Sequence, residues 1–299
     1  MCTKPKKSAL ITDLDNTLFD WFDIWRSTFI PMLEKTAEIT SIPKQKLIKE
    51  IKPIHQKHGT AEYAFVLQEM PCLLEMYGTP EAIMKALDPA IHAARSSRLQ
   101  HLKLYNGVYD TLSELRAKRV KIIAYTESKQ WYTQYRLKRF GLDHFIDHVY
   151  SPEDHEIKAI REDERTAFQF DHTKFSHTPK GEVKPNPSLL TRIIKEQSLD
   201  KDDCVYIGDS ELKDIAMAKN AGVTSVFAKY GTGHFDDDRI AHYELLREVT
   251  HWTEEEVKRE AELKASNEHH EANYSINNFS ELLEIIDFRK KQTGLRFEH

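Results

Sequence analysis

The ten residues Ser8 to Thr17, Ser-Ala-Leu-Ile-Thr-Asp-Leu-Asp-Asn-Thr, limit what this chain can fold into more than any other stretch. Ala9-Leu10-Ile11 is a short apolar run of the kind that forms a buried strand in a parallel sheet, and two carboxylates come after it, Asp13 and Asp15. Ionised side chains are rarely placed where a core strand ends unless they are paired or hold a metal. In open α/β sheets, ligands sit outside the carboxyl ends of the strands, which is where this reading puts Asp13. The pair therefore predicts chemistry at the end of an early strand.

The residues beyond Asp15 divide into two blocks of different pattern. With 299 residues there is room for one large domain or two of ordinary size, and the order of elements favours two. Apolar spacing predicts helices over 24–39, 44–58, 61–75 and 81–98, with breaks at Pro31, Pro43, Pro53, Gly59, Pro71, Gly78 and Pro80. Residues 20–104 carry 11 basic and 10 acidic side chains, so no charge bias identifies a ligand for this block. Its aromatic cluster, Phe19, Trp21, Phe22 and Trp25, could line a pocket, but burial preferences favour packing in the core or between domains.

Regular alternation starts at the turn signal Asn106-Gly107. A helix is predicted over 108–116, a β-branched strand over 120–124, a helix from 128 closing at Gly141, and a strand over 145–150. A helix over 189–196, a strand over 204–207, a helix over 211–220 and a strand over 224–228 continue the pattern. A short strand at 274–276 and a helix over 279–288 return to the same domain. The expected fold is α/β, a Rossmann-like doubly wound parallel sheet formed by 1–19 and 105–299, with an inserted all-helical domain at 20–104. Two polar stretches, 152–180 and 232–270, do not fit the alternation and count as extra segments of the core. Both leave from carboxyl ends of strands, so both are expected on the side of Asp13, where they could shape access to the site. The second lies in the acidic region 235–299, which has 16 acidic and 9 basic residues, and it reads as a solvent-exposed, salt-bridged helix around 254–264.

Composition removes several classes of function. An apolar content of 40% with 30% charged residues describes a globular chain, and a formal charge of −5 predicts no nucleic-acid or membrane surface. The three cysteines, Cys2, Cys72 and Cys204, have unrelated spacings that suit a reducing compartment. Lys4, Lys6 and Lys7 precede an apolar run too short for a signal peptide, and no stretch approaches a membrane span. The cytoplasm is the expected location.

Further side chains join the aspartates. Thr126 ends a predicted strand, where a hydroxyl and the N–H groups of the next helix could hold an anion, although a threonine there can also be only a cap. Lys184 precedes a helix in Val183-Lys184-Pro185-Asn186-Pro187, a weak signal by itself. Gly208-Asp209-Ser210-Glu211-Leu212-Lys213-Asp214 is stronger: the glycine allows a sharp turn, and helix capping explains one of its two aspartates better than both. Together these residues supply what phosphoryl transfer needs: carboxylates for a hard cation such as Mg²⁺, a lysine and a hydroxyl for the phosphate, a nucleophile and an acid.

With these motifs in this order, the chain resembles the haloacid dehalogenase-like hydrolase superfamily in its phosphatase branch. The D-x-D-x-T motif is Asp13-Leu14-Asp15-Asn16-Thr17, the Ser/Thr motif Thr126, the Lys motif Lys184, and the acidic motif Gly208 to Asp214. The helical insert is similar to the alpha-helical cap of phosphoglycolate phosphatase-like members. The resemblance implies that Asp13 attacks phosphorus to form an aspartyl-phosphate, while Asp15 protonates the leaving oxygen and later activates water. It implies that Thr126 and Lys184 hold the phosphoryl group, and that Mg²⁺ is bound by Asp13, the backbone carbonyl of Asp15 and Asp209, with Asp214 in support. It also implies a cap that closes over the substrate on hinges near 19–23 and 103–107.

Two departures from the family pattern stand out. Glu127 occupies the place where members often carry Asn, which leaves its N–H as the phosphate contact, and the interval from Thr126 to Lys184 is long because of 152–180. The expected function is a Mg²⁺-dependent phosphatase acting on a small phosphorylated metabolite. Nucleotides, sugar phosphates and small acids are all compatible. The alternatives are a phosphosugar mutase of the same superfamily and a non-catalytic phosphate-binding or regulatory protein; a dehalogenase is disfavoured because that branch needs neither the second aspartate nor the metal. Nothing in the chain's organisation sets its oligomeric state.

Overall fold

The computed structural model describes residues 4–154, 167–255, 258 and 271–290. Its described residues form two compact units. The first takes in Met1–Phe19, Leu104–Thr232 and His269–His299, the second Asp20–Lys103 and Gly233–Glu268.

The first unit is built on a seven-stranded, wholly parallel sheet. With β1 (Lys6–Lys7) standing apart, its strands are β2 (Ala9–Thr12), β3 (Lys121–Tyr125), β4 (His148–Ser151), β5 (Lys174–His177), β6 (Cys204–Gly208), β7 (Thr224–Ala228) and β8 (Tyr274–Ile276). Their order across the sheet is β5-β4-β3-β2-β6-β7-β8. The apolar run Ala9-Leu10-Ile11 thus becomes the central strand. It is fully buried because β3 and β6 pair with it on either side, Ile11 standing opposite Ile123 and Tyr206. The chain winds outward from β2 in one direction through β3, β4 and β5, then crosses to β6. The reversal puts a crevice beyond the carboxyl ends of β2, β3 and β6, where Asp13, Thr126 and Asp209 lie. On one face of the sheet, Leu189, Leu190, Ile193 and Ile194 of the strongly amphipathic helix Pro187–Glu196 pack against Ile11, Ile123 and Tyr206.

Several elements differ from the sequence expectation. Residues 152–180 contain β5, an edge strand of half-buried and exposed residues that gives little apolar signal. It is tied to the sheet through Asp143, whose carboxylate accepts from the backbone N–H groups of Asp171 at 2.8 Å, His172 at 3.3 Å and Thr173 at 3.0 Å. The strand expected at 145–150 begins only at His148, because Phe145 and Ile146 are buried in the turn before it. The helix expected over 279–288 shortens to a 3₁₀ turn at Phe279–Glu281 and one helical turn at Leu282–Ile285; β9 (Asp287–Phe288) then pairs in parallel with β1.

The second unit is helical. It contains α1 (Trp21–Thr40), α2 (Lys44–His58), α3 (Val66–Glu69), α4 (Pro71–Tyr77), α5 (Pro80–Ala86), α6 (Asp88–His101) and the helix Ile240–Val249. Pro31 and Pro53, expected as breaks, lie inside α1 and α2. The faces carrying Phe29 and Leu33, and Ile51 and Ile54, are buried around them, and this packing outweighs the lost backbone bonds. Met70-Pro71 and Leu87 do interrupt the pattern and split the other two expected helices. Phe22, Trp25 and Phe29 stack in series within this core, with Phe22 to Trp25 at 6.0 Å and Trp25 to Phe29 at 5.0 Å. The aromatic cluster expected from sequence is therefore divided: Trp21, Phe22 and Trp25 belong to this unit and Phe19 to the other.

The extra segment 232–270 was expected to belong to the core, yet from Gly233 onward its described residues group with the helical unit. Leu246 and Val249, at 2% and 0% exposure, lie in that unit's core, and burial of this kind contributes roughly 1.5–3 kcal/mol per side chain. The helix expected around 254–264 lies largely outside the described residues. Among the described residues, no helix is long and apolar enough to cross a membrane.

Candidate active site

Asp13 comes directly after β2, and its N–H donates to Ile207 O at 2.9 Å, which continues the ladder between β2 and β6 by one residue. The carboxylate is therefore held by the sheet itself. Its Oδ2 accepts from Thr17 Oγ1 at 3.2 Å and its Oδ1 from Lys184 Nζ at 2.5 Å. Lys184 Nζ also donates to Asp214 Oδ1 at 2.9 Å, and that oxygen accepts from Tyr206 OH at 2.8 Å. The ammonium lies over the rings of Tyr125 at 4.9 Å and Tyr206 at 5.7 Å, so it is surrounded by carboxylates and aromatic faces.

The acidic motif folds in an unanticipated way. Glu211–Ile215 is a π-helical turn that leads into the helix Ala216–Asn220, and the N–H groups of both Asp214 and Ile215 donate to Ser210 O. Such widened turns recur at functional sites. Here the turn carries Asp214 back over Gly208. A Cβ at Gly208 would overlap the Asp214 carboxylate, so close approach explains this glycine better than the sharp turn expected from sequence. Gly231, after β7, serves likewise: a Cβ there would overlap the Asn16 carbonyl oxygen and Asp209 Cβ. Its neighbour Tyr230 donates its hydroxyl to Thr17 O at 2.7 Å.

Asp13, Asp209 and Asp214 each offer a carboxylate oxygen within 4.8 Å of the others. Lys184, bonded to two of the three, leaves the group rich in negative charge. Burial pushes the Asp13 carboxyl up to about 7, with Lys184 pulling it down and Asp214 and Asp15 pushing it further up. Burial, then Asp13 and Asp214, hold Asp209 well above the ordinary carboxylate range, with Lys184 opposing. Burial works against the Lys184 ammonium, but Asp13 and Asp214 outweigh it and keep the group charged. Hard oxygen donors gathered around too little positive charge match what Mg²⁺ takes from a protein. Asp214 is already engaged by Lys184, Tyr206 and the Ser210 N–H, which leaves Asp13 and Asp209 as the more open donors.

Asp15 looks elsewhere. Its Oδ2 accepts from Ser128 Oγ at 2.5 Å and Thr126 Oγ1 at 3.4 Å, and its Oδ1 from Arg136 Nη1 at 3.3 Å. Its carboxylate is thus not grouped with Asp13, Asp209 and Asp214. Thr126 is buried at the end of β3, and its hydroxyl also accepts from Ser128 N–H, because the helix expected from 128 starts only at Gln130. The Glu127 side chain does not serve as an anion contact: its carboxylate accepts from Lys184 N–H at 2.8 Å and Lys213 Nζ at 2.7 Å, so it anchors the loop that carries Lys184.

Ser128, Arg136, Tyr206 and Lys213 were not anticipated. Arg136 left a trace, since it shares a helical stripe with Thr133, Leu137 and Phe140, a charge where an apolar residue belongs. Tyr206 has the alternation of any core strand and left none. A cavity of about 360 Å³ lined by Arg116, Arg119, Val120, Lys121 and Asp147 lies at the opposite, amino end of β3, where Asp147 is neutralised by Arg116 at 2.8 Å.

A family model described as haloacid dehalogenase-like hydrolase matches residues 7–222. Glyceraldehyde 3-phosphate phosphatase of Methanopyrus kandleri is 26% identical over 251 residues, which cover 80% of this chain and 93% of that protein. Pyrophosphatase PpaX of Halalkalibacterium halodurans is 28% identical over 126 residues, 42% of this chain and 46% of that protein. Among solved structures, a 2-haloacid dehalogenase from Pseudomonas syringae pv. Tomato has a TM-score of 0.54 at 18% identity, covering 93% of this chain and 97% of that one. An HAD phosphatase from Thermococcus onnurineus has a TM-score of 0.50 at 17% identity, covering 95% of this chain and all of that one. At such identities these structures speak to the fold alone.

Proposed function

Because the chain belongs to the haloacid dehalogenase-like hydrolase family, we propose that it is a phosphatase that hydrolyses a small phosphomonoester through Asp13. The observation that carries this reading is the gathering of Asp13, Asp209 and Asp214 around Lys184 at the ends of β2 and β6. Such a site suits a phosphate accompanied by a cation and offers little to an uncharged substrate. An Asp13 oxygen bonds to phosphorus while the ester P–O bond breaks, its electron pair passing to the leaving oxygen, which takes a proton from the Asp15 carboxyl. Asp15, now a carboxylate, accepts a proton from water; the water oxygen bonds to phosphorus, the bond to Asp13 breaks, and inorganic phosphate leaves. Lys184 and the Thr126 hydroxyl hold the phosphoryl oxygens. Mg²⁺ held by Asp13 and Asp209, with Asp214 beside them, would offset the charge of the phosphate.

The names of the relatives guide the choice of substrate, since a relative that matches 80% of this chain is named for a triose phosphate. We therefore place D-glyceraldehyde 3-phosphate first in a panel with sugar phosphates, nucleotides, phosphoglycolate and pyrophosphate. Phosphate release should occur with Mg²⁺ and vanish with EDTA. Asp13→Asn should lower it by roughly 10³-fold or more with the fold intact. Turnover of the variant near the parent rate would remove Asp13 as nucleophile. Isomerised sugar phosphate without free phosphate would select a mutase instead.

A further inference from the structure

Arg136 is a charged side chain for which the phosphatase reading has no role, although it is only 1% exposed. Its guanidinium lies over the rings of Tyr132 at 5.3 Å and Phe19 at 5.6 Å, and Nη1 donates to both Asp15 Oδ1 and Ser128 Oγ at 3.3 Å. Ser128 Oγ donates in turn to the other Asp15 oxygen at 2.5 Å. The two oxygens of Asp15 are thus held by different donors. The grip is itself anchored, since Ser128 O accepts from Ser151 Oγ of β4 at 2.8 Å and from Thr133 Oγ1 at 3.2 Å.

Stability does not explain this arrangement. Desolvating a guanidinium costs several kcal/mol, and a buried ion pair is commonly no better than apolar residues of the same volume. Phosphate binding does not require it either, because the cation bonded to Asp13 and Asp214 is Lys184. What the arrangement provides is orientation. Asp15 keeps a side chain 21% exposed, open to a leaving group, while donors on both oxygens restrict its rotation.

We propose that Arg136 is a positioning residue which, with Ser128, holds the Asp15 carboxyl in the orientation from which it delivers its proton to the leaving oxygen. The inference rests on the phosphatase reading. The proton travels from Asp15 to the departing oxygen as the P–O bond breaks; Arg136 stays protonated throughout, fixes the orientation of the carboxyl and pairs with the carboxylate that the proton leaves behind.

Two substrates separate this role from a structural one. The first-turnover rate is measured with D-glyceraldehyde 3-phosphate, whose departing alkoxide needs a proton, and with p-nitrophenyl phosphate, whose leaving group departs as a stabilised anion. If the triose phosphate is not turned over, the alkyl ester hydrolysed fastest in the panel replaces it. Arg136→Met should slow the alkyl ester about 10²-fold while nitrophenolate release stays within about threefold of the parent and KM changes little. Arg136→Lys should recover part of the loss, and Ser128→Ala should show the same selectivity at about tenfold. If Arg136→Met does not fold, Arg136→Lys and Ser128→Ala carry the comparison. Equal loss on both substrates, or loss on neither, overturns the inference. A parent protein that releases phosphate from no ester fails earlier, and with it fails the phosphatase reading itself.

Discussion

Two groups of carboxylates in this molecule are built on opposite terms. At the end of the sheet, Asp13, Asp209 and Asp214 gather around one ammonium, and burial pushes Asp13 up to about 7. In the helical unit a single carboxylate, Glu69, accepts from three donors: Tyr63 OH at 2.6 Å, Lys57 Nζ at 2.7 Å and His58 Nε2 at 2.9 Å. Burial alone would raise Glu69 as well, but these bonds outweigh it and hold the group down at about 2. A site proposed to take up a cation and an anion has its negative charge only partly offset. A group that only joins elements together is satisfied within the protein.

Between these two sites, the larger effect tests the partly offset charge. Asp209→Asn removes one carboxylate from the cluster and should lower Mg²⁺-dependent phosphate release by about 10²-fold or more. The same change should raise the melting temperature in EDTA, because two like charges no longer share the space with Asp209. Thermal melts in EDTA and a Mg²⁺ titration of phosphate release check both halves. A variant that is less stable in EDTA and fully active would make the cluster an ordinary structural group and dissolve the contrast.

His55 sharpens the comparison from the side of the helical unit. It is buried, and because a carbonyl can only accept, its Nδ1–H donates to Val249 O at 2.6 Å, joining α2 to the helix Ile240–Val249. Burial lowers its pKa to about 4, against the raising effect of the Val249 bond and with help from His251 and His58. The unfolded chain then binds a proton near pH 6.5 that the folded chain refuses until about pH 4. The stabilisation is complete above the unfolded value and is lost as pH falls through this window. Urea denaturation should show a loss of about 2 kcal/mol between pH 7.5 and pH 5, absent in His55→Gln. An equal loss in the variant would assign the acid sensitivity to other groups.

The same contrast explains what the sequence made legible. Asp13, Thr126 and Asp209 sit where strands end, and short apolar runs mark those ends in the sequence, whereas Lys184 lies in the loop before the helix Pro187–Glu196, beyond a strand, β5, that the sequence does not announce. Arg136 and Ser128 reach Asp15 through tertiary approach from 121 and 113 residues away, which no local pattern encodes. Glu127 is one step from Thr126, yet only the long return of the chain to Lys184 decides where its carboxylate points. The helix Ile240–Val249 is not singled out, because 232–270 reads as a polar segment; its apolar residues, Leu246 and Val249 among them, join Phe22 and Leu47 in a core that no local pattern names. β5 escaped notice because an edge strand need not be apolar, and its hold on the sheet comes from Asp143.

The smallest effect belongs to Glu69. Glu69→Gln keeps the shape but removes the charge, so three donors face a neutral group in place of a carboxylate. Lys57, with 65% of its side chain exposed, remains solvated and contributes little, so the cost should come from Tyr63 and from His58, whose ring stacks on Tyr63 at 3.7 Å. A destabilisation of about 1–2 kcal/mol is expected, read as a shift of the urea midpoint at pH 7. Because Glu69 is held below its unfolded value, the deficit should shrink as pH falls from about 4.5 toward 2 and the parent carboxylate takes up its proton. Phosphate release should stay within about twofold, since a satisfied structural carboxylate adds stability and no chemistry. A loss of turnover larger than that, with the urea midpoint unmoved, would show that this network is not merely the balanced counterpart of the site around Asp13.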